Sequence, residues 1–118
     1  MSFTRAHNPY RDGVDAFVER VMLEAGLAQL PLEERAVTAA ALAEEAHVRV
    51  GLELLEAVDA WSLKEFRSLV EEGAADDEIA AFFRVRVPDA DDRASRALER
   101  FSLECRAIVE DASRLALV

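Results

Sequence analysis

Glu44-Glu45-Ala46-His47 is the sharpest sign of chemistry in the chain. Glu44 and His47 stand three residues apart, so on a helix they occupy adjacent turns of one face and bring a carboxylate and an imidazole together. Such a pair can ligate iron, manganese or zinc. The remaining candidates are weaker. Cys105 is the only cysteine, with no His in a recognisable relation to it, and reads as a small core residue rather than a nucleophile. His7 falls in an N-terminal segment expected to be solvated, and Ser62 and Ser68 lack a paired base. Neither a glycine-rich phosphate loop nor a Cys-x-x-Cys motif is present. Arg84 and Arg86 flank Phe83, which suits a small anion or partner patch and equally suits ordinary surface arginines beside an aromatic ring.

The pair needs a helix to hold it. Pro31, favoured in a first helical turn, followed by Glu33 and Glu34 near the positive end, predicts a long helix reaching about Ala60. At 100° per residue its polar stripe is narrow: Thr38, Glu45, Arg49, Glu53, Glu56 and Asp59. The opposite pole holds Ala40, Ala43, His47, Gly51, Leu54, Val58 and Trp61, so this helix is expected to be central and covered on most sides. His47 then lies in the middle of the apolar pole, with Glu44 on its shoulder beside Val37, Val48 and Leu55. A carboxylate there needs an answering group: an Arg, His47 itself, or partial exposure to water. The Glu-x-x-His pair resembles half of a ferritin-like di-iron site, in which such pairs project into a helical bundle. Those sites draw on further carboxylates and a second pair. This chain has one, so a second copy related by symmetry would have to complete the site, with Glu19 or Glu24 as an outer carboxylate. A purely structural role for both residues stays open beside it.

Composition sets the rest of the fold. The 118 residues are 52% hydrophobic, with only four Gly and three Pro, which favours helices and a core of usable size. The expectation is all-α: a compact bundle of four to five helices with a long C-terminal helix. Residues 1–12, with turn signals at Asn8-Pro9 and Asp12-Gly13, read as a flexible arm, and 13–118 as a single helical domain. Val14, Phe17, Val18, Val21 and Ala25 predict a first helix stopped by Gly26. Ser62-Leu63-Lys64-Glu65 matches a capping box opening a third helix that Gly73 ends. Asp76 and Asp77 predict a short fourth helix through Phe82 and Phe83, running into an extended segment at Val87-Pro88.

The last helix carries the strongest pattern. Ala94, Leu98, Phe101, Cys105, Ile108, Ala112 and Leu115 follow one another at alternating spacings of four and three. That is the 3.5-residue repeat of a helix packed nearly parallel or antiparallel to another. Its length of roughly 40 Å, at 1.5 Å per residue, exceeds what so small a body covers. The seam from Leu98 to Leu115 is therefore expected to be an interface.

A net charge of −10 argues against nucleic acid and anionic membranes as partners, because the arginines are scattered among carboxylates. No stretch approaches the ~20 apolar residues of a membrane span. The N-terminus lacks the apolar core of a signal peptide, and a lone cysteine forms no internal disulfide, so the cytoplasm is the expected location. Leu30-Pro31-Leu32-Glu33-Glu34, Arg49-Val50-Gly51, Leu63-x-x-Phe66-x-x-Leu69, Gly73 and Val87-Pro88-Asp89 follow in an order that resembles a family of small acidic all-helical bacterial proteins of unknown function. The likeness spans about residues 23–104 and implies no activity. The expected role is a non-enzymatic protein-interaction or oligomerisation module, a homodimer or larger, without a cofactor. The alternative is the ferritin-like metal protein completed across a dimer; a third, an acidic decoy for a basic site, rests on charge alone.

Overall fold

Proline is best tolerated where a helix begins, because the amide hydrogen it lacks would have no helical partner there. Helix α1 (Pro9–Glu24) begins on one. The computed structural model describes residues 9–116. The expected helix start at Val14 was therefore too late, and positions 9–12 of the expected arm are helical; residues 1–8 lie outside the described residues. Packing explains the difference. Half-buried Tyr10 extends the buried stripe of Val14, Phe17, Val18 and Val21 back by one turn and packs against the core. That burial outweighs the cost of about 1 kcal/mol for Gly13 inside a helix.

Gly26 takes the left-handed conformation (φ 72°) that ends α1, and a 3-10 turn (Leu27–Gln29) leads to Pro31. Helix α2 (Leu32–Glu56) follows, with Glu33 and Glu34 in its first turn, and it ends short of the expected Ala60. Asp59 is the reason. It caps α3 (Ala60–Glu71), its carboxylate accepting the Ser62 amide at 2.7 Å. Asp caps as well as Ser and adds a charge matched to the helix dipole, so the cap falls three residues before the expected box at Ser62. The same hydrogen bond holds the Asp59 carboxyl below its usual range. Gly73 (φ 74°) ends α3. Helix α4 (Asp76–Arg86) carries Asp76, Asp77 and Glu78 in its first turn and runs, as expected, into extended Val87 (φ −123°, ψ 99°) before Pro88. Helix α5 (Ala90–Ala116) is the longest element at 27 residues.

The described residues contain helices and turns but no strand, so the fold is an all-α bundle with a long C-terminal helix. Helices α1, α2 and α5 pack around Val14, Phe17, Val21, Ala46, Phe101 and Cys105. A second cluster joins Val50 and Leu54 of α2 to Phe82, Phe83, Val87, Ala90 and Ala94, with the Phe66 ring of α3 tilted against Phe83 at 5.4 Å between centres. The molecule is only 22 Å thick along its shortest axis. That is about two helix diameters, so α2 and α5 keep a face towards water.

Candidate functional site

Two helix faces are more apolar than contact with water explains, and each is set by how its helix packs. On α2 the buried face is Ala46, Val50 and Leu54, with Ala39, Leu42 and Ala43 partly covered beside them. Polar flanks fix this orientation. Arg49 donates to Glu45 at 3.0 Å and to Glu104 of α5, and its guanidinium lies 4.3 Å from the centre of the Phe101 ring. Glu53, mostly buried, pairs with Arg100 at 2.8 Å and Arg93 at 3.6 Å, both on α5. Arg49 and Glu53 were expected on the wet stripe. They instead border the contact with α5, where each charge meets an opposite one.

Of the expected apolar pole, Leu54 is buried and Ala43, Gly51 and Val58 are half-buried, while Ala40, His47 and Trp61 are exposed and correct it. His47 is exposed, not central, and Glu44 is exposed beside it. The outward arc carries Val37 (70% exposed), Ala41, Glu44, Val48 (50%) and Leu52, and Ala40 and His47 are exposed at its edge, on the side next to Leu54. Trp61, assigned to the same pole, belongs to α3 and is exposed. The sequence misled here because α2 is apolar on opposite sides, and alanines blur the angle at which bulk begins.

Glu44 and His47 do share one helix face, as their spacing required. Among the described residues, no three His, Cys, Asp or Glu side chains come together to hold a metal ion. Glu24 pairs with Arg106 at 2.7 Å, and Glu19 is exposed on α1.

The seam of α5 divides at Cys105. Ala94, Phe101 and Cys105 are buried and Leu98 is half-buried, packed against α1, α2 and the second cluster. Phe101 stacks on Phe17 with ring centres 5.3 Å apart. Leu98, Phe101 and Cys105 are thus core of this chain rather than interface. Beyond them Ile108 (66%), Ala112 and Leu115 (76%) face water along the same stripe. The pair between Arg106 and Glu24 ties α5 to the end of α1, whereas among the described residues Arg114 pairs with Asp111 of its own helix, at 3.7 Å.

No constellation for covalent chemistry emerges among the described residues. Burial pushes the Cys105 thiol above its ordinary range, which Arg49 only partly opposes, so the thiolate needed for attack is disfavoured. A cavity of about 210 Å³ between α1, α2 and α5 is lined by Tyr10, Val50, Asp91, Ser95 and Leu98. Burial raises the Tyr10 phenol there, reinforced by Asp91 and opposed by Arg84. Arg84 and Arg86, the candidate anion patch, are paired with Asp91 and Glu65. No described helix is long and apolar enough to cross a membrane. No protein family, curated protein or solved structure matches the chain.

Proposed function

We propose that this chain is a non-enzymatic helical module that associates with other protein chains, copies of itself first, in a bacterial cytoplasm. The observation that carries this is the far end of α5, where Ile108 and Leu115 continue an unbroken core repeat into water. A seam at 3.5-residue spacing is the pattern of a helix meeting another helix, and no part of the described chain meets it there. The acidic surface and the arginines engaged in ion pairs favour a protein partner over nucleic acid. A lone buried cysteine suits a reducing compartment.

The double variant Ile108→Asp/Leu115→Asp tests this. Both positions are exposed in the single chain, so the helical circular dichroism should be unchanged. Light scattering should give at least twice the 13.1 kDa chain mass for the native protein and the chain mass alone for the variant. A variant that associates as the native protein does would remove the α5 seam from the account.

A metal-binding reading has one observation in its favour: Glu44 and His47 lie on an exposed face that a second copy can reach. Four ligands, two from each copy, would suit iron, manganese or zinc. Protein purified without chelator should then carry at least about one such ion per dimer, as a structural or catalytic site would. A lower content ends that reading.

A further inference from the structure

We infer that the cavity between α1, α2 and α5 is a binding site for a small amine, a compound with a one-ring apolar body and a single ammonium group. Val50 of α2 and Ala94 of α5 are buried at its floor, with half-buried Leu98 beside them. Asp91 and Ser95 stand on adjacent turns of one face of α5 and are exposed at its mouth, and half-buried Tyr10 of α1 lines it too. The volume of about 210 Å³ exceeds the ~150 Å³ of an apolar cavity that takes up benzene, so a single ring fits. These residues belong to the part of α5 that is packed within its own chain, so the site does not depend on association.

Two observations point to such a ligand. The first is Gly13, which also lines the cavity. It stands within α1 without the positive φ that would require glycine, where alanine would make a more stable helix. A Cβ added there would meet the Leu98 Cδ1 at 3.8 Å, an ordinary contact, so packing does not demand the glycine either. What the missing side chain leaves is open space at the cavity wall. The second is the kind of polar atom on offer. Tyr10, Asp91 and Ser95 all carry oxygen, which accepts hydrogen bonds, and no lining residue carries a basic nitrogen. An ammonium group, a donor only, suits that set, whereas a carboxylate or phosphate would face Asp91. Asp91 already accepts from Arg84 at 3.2 Å and 3.4 Å, and each of its oxygens keeps a second lone pair for the ligand. A net charge of −10 draws cations rather than anions to the surface.

Amide chemical-shift titration of the full chain with phenethylamine, read by NMR, tests the site. The amides of Gly13 and Ala94 should shift, with a Kd of about 1 mM or tighter. Phenethyl alcohol keeps the ring and replaces the ammonium by a neutral hydroxyl. It should bind at least about threefold more weakly, the size of effect that an exposed charge pair gives. Gly13→Leu fills the cavity from α1 with a better helix former, so the thermal midpoint should hold or rise while affinity falls at least about tenfold. Asp91→Asn should erase the preference for the amine and leave the affinity for the alcohol as it was. Absence of binding by the native protein at about 10 mM amine would overturn the proposal. So would a folded Gly13→Leu chain that binds as the native one does, or an alcohol that binds as well as the amine.

Discussion

Replacing Phe101 by Ala is expected to cost about 3–5 kcal/mol of folding stability, the usual range for truncating a buried aromatic. The ring is 6% exposed, stacks on Phe17 and lies under the Arg49 guanidinium, so its loss opens a cavity where α1, α2 and α5 meet. A domain of this kind holds about 5–15 kcal/mol in total, so one substitution removes a large share. The thermal midpoint should fall by about 10–20 °C. Ile108→Ala, seven residues on and at the same place in the repeat, should change the stability of the single chain by no more than about 0.5 kcal/mol. Denaturant unfolding at low protein concentration compares the two. Equal costs would mean that the end of α5 is packed within its own chain.

Leu54→Ala and Leu52→Ala ask the same question of α2. Leu54 is 1% exposed in the second cluster, and its truncation should cost about 2–5 kcal/mol. Leu52 is 56% exposed on the outward side and should cost less than about 1 kcal/mol in the single chain. Chemical denaturation with an unchanged slope would assign both differences to stability. The reverse order would mean that the buried face of α2 has been turned round.

That second contrast marks where the sequence was legible and where it was not. Helix ends were readable wherever one local rule dominated, as at Gly26, Gly73 and Val87-Pro88. They were misplaced where two signals competed. Asp59 and Ser62 both make good caps, and the earlier one took the role; Asp12-Gly13 reads as a turn, yet Tyr10 and Val14 draw it into a buried helix. The repeat in α5 was legible as a seam, but a repeat does not say how far along it the chain's own helices reach. That limit is set by α1, which ends at Glu24 beside Arg106. The face of α2 was harder still. With Val37 and Val48 on one side and Val50 and Leu54 on the other, apolar periodicity alone does not choose between them. The choice is made by Arg49 and Glu53, whose partners Glu104, Arg93 and Arg100 lie about fifty residues away on another helix. Glu44 and His47 were found from spacing alone; only long-range packing could place them on the surface.

Sedimentation equilibrium of the native full chain, from about 1 µM to about 1 mM, tests most directly whether the outward apolar end of α5 is covered by another copy. The mass should rise with concentration from 13.1 kDa towards twice that value or more. A mass that stays at 13.1 kDa across the whole range, with Ile108 and Leu115 left in water, would contradict it.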